Sequence, residues 1–579
     1  MPPPLGHPTV LSSDHPRPAP RRSVRASAAG ALRLSLAAAC LTLAACDERG
    51  DGTEEDLGPN ILLLVADDLA YADLGSYGGD VHTPNIDALA ARGVRFSQFH
   101  TAPMCAPTRA MLLSGNDNHV AGMGWQGGAP AELASNPGYE SHLSDRIVPF
   151  PQLLQDAGYR TYSVGKWHLG TAADHTPTAA GFERSFQLLQ GAGDHYSSVA
   201  LEPQDSVSTY WADGDFTTWP EGSYSTEVYT DRLLEFIEED RGDGRPFFAF
   251  AAYTSPHWPL QVPDDYLDLY RGQYDMRYDR LRELRFESLQ EAGIVSADHE
   301  LPPRLDWIKP WEDLSAEQQR IESRKMELYA AMVQNLDEHV GRLIGALEAV
   351  GELENTVVVF MSDNGAAAED FYNAGAFAEW LQGRYVDDFE FMGTPQSYVS
   401  YGPQWAEAGS APYRGHKTYA HEGGIIAPLI VAGPGVDREP NESDFGRIER
   451  AWVGVADIAP TILELAGVGY PGSRGTTDTQ PMSGTSMLPL LEGSADRIHP
   501  PDELLALSHR MHAYVRLGDW KLVSSDQYQG TGTFELFDLA SDPGETVDVS
   551  ERFPEKRTEL MDSLEAFRAR VGVVIPEGG

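Results

Sequence analysis

Residues 60–68 read Asn-Ile-Leu-Leu-Leu-Val-Ala-Asp-Asp. A strand with one wet face alternates apolar and polar residues, so a continuous apolar run of this kind predicts a strand buried on both faces. The paired acids end it at its carboxyl end. Three other stretches repeat the plan: residues 161–164 lead to Lys166 and His168, residues 247–253 to His257, and residues 357–361 to Asp363 and Asn364. Helical segments separate them, among them residues 84–92, with Thr83 as N-cap and Gly93 at the end, and the long stretch 315–350. Strands alternating with helices predict an α/β fold, a large mixed, mostly parallel sheet sandwiched by helices. Ligands of such sheets bind beyond the carboxyl ends of the strands, where all four polar groups fall. Singly, an Asp-Asp pair after a strand reads as a turn or helix cap, and most of the 17 histidines read as solvated. Those readings do not explain why acids, an amide, a lysine and histidines gather at one end of one sheet.

The chain has 579 residues, 41% of them hydrophobic, enough to bury a large core. Its formal net charge of -44 argues against nucleic acid as a partner. Anionic ligands are also repelled at long range, so an anion site must be made locally positive by metal, Lys, Arg and His. The three cysteines are too few for a disulfide framework, and only Cys105 belongs to the folded body. Cys40 and Cys46 lie in residues 1–46, which read as an address. Arg21, Arg22, Arg25 and Arg33 form a positive region, an apolar stretch from Ala28 follows, and Leu43-Ala44-Ala45-Cys46 fits a cleavage site. That ending resembles the bacterial lipobox, which implies a lipoprotein-type signal peptide over residues 1–45 and lipidation of Cys46. A transmembrane anchor fits less well, because the run is short and Arg33 breaks it. Residues 46–57 read as an acidic tether. The expected location is outside the cytoplasm, as a periplasmic or cell-surface lipoprotein held to the membrane by its lipid alone.

Residues 101–115, TAPMCAPTRAMLLSG, carry the chemistry. Pro107 suits the first turn of a helix and would place Cys105 just before it, where free N–H groups favour an anion. The plainer reading of Cys105 is a small buried hydrophobe. The Cys-x-Pro-x-Arg pattern resembles the signature of the type I, formylglycine-dependent sulfatases, and within them the bacterial arylsulfatases. The likeness extends over about residues 58–579 through VADDLAYADLGSYGG, TPNIDALAARGVRF, GKWHLG, RPFFAFAAYTSPHWPLQ, AAMVQNLDEHVGRLI, VVVFMSDNG, SYVSYGPQWAEAGSAPYRGHK, KTYAHEGGIIAPLIV, GDWKLV and ELFDLASDPGE. At Ser114-Gly115-Asn116 the chain departs from the family's more usual Thr-Gly-Arg or Thr-Gly-Thr.

The resemblance implies an alkaline-phosphatase-like fold and a sulfuric ester hydrolase that cleaves sulfate monoesters, aryl sulfates foremost. It implies conversion of Cys105 to formylglycine, whose hydrate supplies the nucleophilic oxygen. The partners that follow are a small-molecule sulfate ester as substrate and a formylglycine-generating enzyme during maturation. The same likeness makes Asp67, Asp68, Asp363, Asn364 and the modified Cys105 the ligands of a calcium ion. The four unmodified donors are all oxygens, which suit a hard cation such as Ca²⁺ or Mg²⁺, and no His or thiolate among them competes for zinc. The preference for Ca²⁺ over Mg²⁺ comes from the resemblance. It also implies that Asp363 receives the nucleophile's proton, that Arg109 and Lys166 hold the hydrate, and that Lys166 and Lys417 bind sulfate oxygens. His257 would bind the substrate and protonate the leaving group, and His168 would take the proton that lets sulfate depart. Two alternatives stay open: a phosphodiesterase or phosphonate monoester hydrolase of the same superfamily, and a catalytically silent metal-binding lipoprotein whose Cys105 stays a thiol.

Trp125, Trp258, Tyr401 and Trp405 could line an aromatic mouth, although aromatics near apolar segments usually belong to the core. The segment between Asp363 and Lys417, with Phe371, Tyr372, Phe377 and Trp380, is long enough to form a substrate-shaping cover. From about residue 471 the pattern changes. Short strands over 513–517, 520–524 and 533–537 and a closing helix over 557–571 predict a smaller C-terminal antiparallel-sheet subdomain. The expected layout is a catalytic domain over 58–470 and this subdomain over 471–579, with little functional content in the latter.

Overall fold

In the computed structural model, which describes residues 58–374, 377–436, 445–475, 477–524 and 533–575, the run at 60–66 forms a strand with every residue buried. The expected signal peptide, Cys46 and the acidic tether lie outside the described residues. Strand β1 (Asn60–Ala66) sits inside a ten-stranded sheet. The other members are β2 (Gly93–Phe96), β3 (Arg160–Lys166), β4 (Arg184–Leu188), β5 (Tyr210–Ala212), β6 (Asp215–Thr217), β7 (Phe247–Ala252), β8 (Thr356–Ser362), β9 (Leu429–Ala432) and β10 (Arg447–Glu449). Their order is β10-β2-β9-β8-β1-β7-β3-β4-β5-β6. β8, β1, β7, β3 and β4 run parallel, with Ile61 opposite both Phe248 and Val357. β9 is antiparallel to both its neighbours, and β4, β5 and β6 form an antiparallel edge. The sheet is therefore mixed and mostly parallel, as predicted.

The unbroken apolar run of β1 has a simple cause, since each of its faces meets a different core. Leu62, Leu64 and Ala66 pack with α1 (Pro84–Ala91), α3 (Ser225–Asp240) and α4 (Ala316–Val350). Ile61, Leu63 and Val65 pack with α2 (Cys105–Ser114) and α5 (Ile458–Leu465). Helix α4 opens on a capping box in which Ser315 accepts the Gln318 N–H and Gln318 returns to the Ser315 backbone, and it closes on Gly351 at φ 79°. Gly93 differs from expectation: Arg92 ends α1 and Gly93 already opens β2.

The C-terminal section forms a four-stranded antiparallel sheet of β11 (Leu504–His509), β12 (His512–Leu517), β13 (Trp520–Ser524) and β14 (Phe534–Asp538), closed by α6 (Pro554–Val571). β11 was not predicted. One face of this sheet packs on α6 through Val515, Leu522, Leu536, Leu560 and Leu564. The other face, through Leu507, Tyr514, Val523 and Phe537, packs on Ala102, Ala420 and Ile425. These three flank Cys105 and Lys417 in sequence, so the expectation of low functional content is corrected: this sheet backs the segments that carry two of the predicted site residues. A buried ion cluster fixes the contact. Lys521 Nζ lies 2.5 Å from Glu422 Oε1 and 2.7 Å from Glu545 Oε1, and His100 Nε2 lies 2.9 Å from Glu422 Oε2. The Glu422 N–H donates to Glu545 Oε2 at 2.6 Å. Among the described residues no helix is long and apolar enough to cross a membrane.

Candidate active site

Four neighbouring parallel strands, β8, β1, β7 and β3, deliver the predicted polar groups to one end of the sheet. Asp67 and Asp68 follow β1 directly, and Asp68 takes the left-handed conformation at φ 65°, which Asp tolerates better than most residues. Lys166 is the last residue of β3. The glycine before it is obligatory: Gly165 has φ 101°, and a Cβ there would lie 1.8 Å from the Ala252 carbonyl oxygen on β7. Asp363 and Asn364 follow β8, and His257 lies in the loop after β7. Cys105 is the first residue of α2, one step further into the helix than expected, with Pro107 still in the first turn.

These side chains form one buried network. Lys166 Nζ donates to both oxygens of Asp67, at 2.8 and 2.7 Å. Arg109 Nε and Nη2 donate to Asp363 Oδ2 at 2.9 and 2.8 Å, and Nη1 donates to the Lys166 carbonyl at 2.7 Å. Lys417 Nζ donates to Asp68 Oδ2 at 2.8 Å, and Asn364 Nδ2 donates to Asp68 Oδ1 at 2.6 Å. The Cys105 Sγ lies 3.5 Å from Asp67 Oδ1 and 3.7 Å from Asp68 Oδ1. Thr418, a β-branched residue held at φ 79°, donates its N–H to the Pro103 carbonyl and so joins the Lys417 loop to the segment entering Cys105.

The electrostatics follow from burial and pairing. Burial raises the Asp67 carboxyl, against the pull of Lys166. Burial works on Asp68 in the same sense, but Lys417 and His257 beside it hold its carboxyl well below the usual carboxylate range. Burial likewise opposes the charge of Lys417, and Asp68 overrides it, so the amine stays protonated. Burial, with Asp363 adding to it, pushes the Cys105 thiol well up, so an unmodified Cys105 is a thiol and not a thiolate. His257 Nδ1 lies 2.8 Å from the Trp258 carbonyl, so Nδ1 carries the proton and Nε2 is the acceptor, 3.4 Å from Lys417 Nζ. Burial pushes this imidazole well below its ordinary value, Asp68 opposing and Lys417 adding to the effect. His168, at φ 61°, packs against Gly191 with Nδ1 buried and unpartnered, and burial followed by Lys166, Arg109 and Lys417 lowers its pKa strongly.

The ligand atoms of Asp67, Asp68, Cys105 and His257 all lie within 4.8 Å of one another. This cluster shares Asp67, Asp68 and Cys105 with the predicted ligand set. His257 joins the cluster, while Asp363 borders it, with Oδ2 taken by Arg109 and Oδ1 accepting the Asp68 N–H at 3.2 Å. The donor set fits a divalent cation: two carboxylates converge, and the Asn364 Oδ1 beside them is buried without a partner. Of the four aromatics expected at a mouth, Tyr401 and Trp405 are core residues packed among the helices. Trp258 and Trp125 do lie beside the site. Trp258 lies tilted against the His257 ring, centroids 4.2 Å apart, and anchors a cluster with Tyr372, Leu381, Tyr385 and Tyr398, against which Phe371, Phe377 and Trp380 pack. Sequence reading missed Gln126, whose Oε1 accepts the Ala106 N–H at 3.1 Å next to Cys105. Only the Gly127-Gly128 pair after it signals a loop there.

A mixed, mostly parallel sheet with carboxylates converging on a candidate metal site beyond its carboxyl ends, backed by a small antiparallel sheet, is the plan of an alkaline-phosphatase-like hydrolase. A profile of the Sulfatase family matches residues 59–468, and the chain belongs to that family. An uncharacterized sulfatase of Schizosaccharomyces pombe is 36% identical over 536 residues, covering 90% of this chain and 95% of that protein. The arylsulfatase of Klebsiella aerogenes is 37% identical over 433 residues, covering 74% and 91%. Among solved structures, Ps i-CgsB in complex with k-i-k-neocarrahexaose superposes with a TM-score of 0.61 at 24% identity, covering 88% of this chain and 92% of that one, a likeness of fold.

Excess Ca²⁺ or Mg²⁺ is expected to raise the melting temperature of chelator-treated protein. At 100 times Kd the stabilisation should be about 2.7 kcal/mol. Asp68→Asn should remove the rise, and a wild-type melting temperature indifferent to both cation and chelator would count against a resident metal.

Proposed function

We propose that this protein is an arylsulfatase-type sulfuric ester hydrolase that acts through formylglycine made from Cys105 by a formylglycine-generating enzyme. The observation that carries the proposal is the position of Cys105 Sγ, buried at the carboxylates of Asp67 and Asp68, which also hold Lys166 and Lys417. The sulfur stands where the oxygens of the modified residue would be. Asp67, Asp68, Asp363, Asn364 and residue 105 would hold the cation, with Ca²⁺ favoured over Mg²⁺. When bound, the cation would neutralise the carboxylates and polarise the sulfate ester. Lys166 and Lys417 bind sulfate oxygens, where donors fixed in a water-poor site count most as charge grows. Arg109 orients Asp363, the acceptor of the nucleophile's proton, through two hydrogen bonds to one oxygen. His168 takes the proton that accompanies expulsion of sulfate. Mass analysis of the peptide bearing residue 105 tests the proposal. An aldehyde or its hydrate is expected, and a plain thiol in active native protein would sink it.

His257 is proposed to protonate the leaving alcohol or phenol. In the resting arrangement its Nε2 accepts from Lys417, so the proton is stored on the Lys417–His257 pair and reaches the leaving group through Nε2. A stable phenolate departs unaided, whereas an alkoxide needs its proton in the transition state. His257→Ala should lose little in the chemical step on a nitrophenyl sulfate and about 10²–10⁴-fold on an alkyl sulfate. Single-turnover rates along a series of rising leaving-group pKa decide the matter, and equal losses across it would remove His257 from the acid role.

Export and lipid anchoring through Cys46, with a folded body divided at about residue 470, complete the reading, and the lipobox-like Leu43-Ala44-Ala45-Cys46 supports the anchor. Cys46→Ala is expected to release the protein from the membrane fraction. Wild-type partitioning of that variant would refute the anchor.

A further inference from the structure

Arg510 is unusual in a chain with 87 acidic residues against 43 Lys and Arg. It stands at the tip of the β11–β12 hairpin with φ 55°, a left-handed conformation unfavourable for a non-glycine residue. Hairpin tips usually give that position to Asn, Asp or Gly. A bulky cation kept there calls for a reason outside the turn. Its side chain is partly buried, yet among the described residues no carboxylate lies within ion-pair distance of it. Nη2 donates to the Gln126 carbonyl at 2.6 Å, the guanidinium lies 4.9 Å over the Trp125 ring, and Nε is buried without a partner. Burial weakens its hold on its proton.

Gln126 links this arginine to the catalytic centre. Its backbone carbonyl takes Arg510, and its side-chain carbonyl takes the N–H of Ala106, the residue after Cys105. A single residue therefore bridges the guanidinium and the first turn of α2. Trp125 is half-buried, and Gly127 and Gly128 beyond it are exposed with open space around them. An aromatic face beside a half-buried guanidinium with no carboxylate partner among the described residues, next to an exposed Gly-Gly turn, matches a ring that carries an anionic group. The ring packs on the indole and the anion accepts from the planar fork.

We propose that Arg510 and Trp125 form a subsite for the leaving-group side of the substrate, which recognises a second anionic group on the alcohol or phenol being released. A carboxylate and a further sulfate present the same chemistry to it. The proposal rests on the sulfatase reading. It gives the strained hairpin tip and the lack of a carboxylate partner among the described residues one cause, since the substrate's own anion would supply the opposite charge. The competing role is a clamp that fixes the 125–126 loop to the C-terminal sheet.

The two roles separate in a ratio. Values of kcat/KM are measured for a neutral monosulfated sugar, its uronate counterpart and its disulfated counterpart, with wild type, Arg510→Gln and Arg510→Lys. Wild type should prefer at least one anionic ester by about tenfold or more. Arg510→Gln should bring that ratio close to one and Arg510→Lys should keep part of it, and the arm that responds tells carboxylate from sulfate. No wild-type preference, or an equal loss on all three esters in Arg510→Gln, would make Arg510 a clamp and overturn the subsite. Turnover of 4-nitrophenyl sulfate reports the sulfatase reading separately. If that fails, calorimetric binding of the two anionic sugars to wild type and to Arg510→Gln still tests the subsite, and equal affinities overturn it.

Discussion

Mutual neutralisation of buried charge is the constraint on which the rest of the structure turns. Asp67, Asp68 and Asp363, with Arg109, Lys166 and Lys417, are at most 3% exposed. A charge taken from water without a partner costs several kcal/mol, so none of the six is tolerable alone. Each acid is held by a cation from a different element: Asp67 after β1 by Lys166 of β3, Asp363 after β8 by Arg109 of α2, and Asp68 by Lys417 of the following loop. The pairs therefore tie β8, β1 and β3 to α2 and the Lys417 loop in one register. A slip of one residue in any strand would turn its apolar residues to the other core and strip an acid of its partner.

The same constraint explains why a small C-terminal sheet belongs to the site. Lys417 cannot reach Asp68 unless its loop is rigid, and that loop includes Thr418 in a conformation unfavourable for a β-branched side chain. Thr418 N–H on the Pro103 carbonyl holds it on one side, and the Glu422–Lys521–Glu545 cluster holds it on the other. His100, which also pairs with Glu422, leads into Cys105. One buried lysine on β13 thus steadies both the approach to residue 105 and the loop of Lys417.

What could be read from the sequence was what local pattern encodes. β1, β7 and β8 are buried on both faces, so their apolar runs are unbroken and their ends are marked by the polar residues that follow. That sufficed to place Asp67, Asp68, Lys166, His257, Asp363 and Asn364 together. Relations across long separations were not legible. Gln126 meets Ala106, and Arg510 meets Gln126 at a separation of 384 residues, with no periodicity to signal either contact. Trp125 and Trp405 look alike in sequence, and packing alone decides that the first is half-buried beside the site and the second lies among α4 and its neighbours. β11 follows Pro500-Pro501 and ends on His509, so its pairing depends on β12 more than on its own composition. The position of Asp363 on Arg109, and of His257 inside the ligand cluster, likewise emerges only from three-dimensional placement.

Charge counting connects these observations to catalysis. Three acids and three cations leave the buried centre neutral in a chain whose net charge is -44, and a neutral centre offers an approaching anion little compensation for that repulsion. The oxygens of Asp67 and Asp68 that a cation needs are the ones now bound by Lys166 and Lys417. A divalent cation held by Asp67 and Asp68 would therefore free lysine N–H donors for a sulfate ester. With it the centre would carry added positive charge within walls of low dielectric, where charge acts over short range at greater strength than in water. The long-range repulsion from the acidic surface would stay in place, and a small anion reaching the buried centre would meet the positive field there.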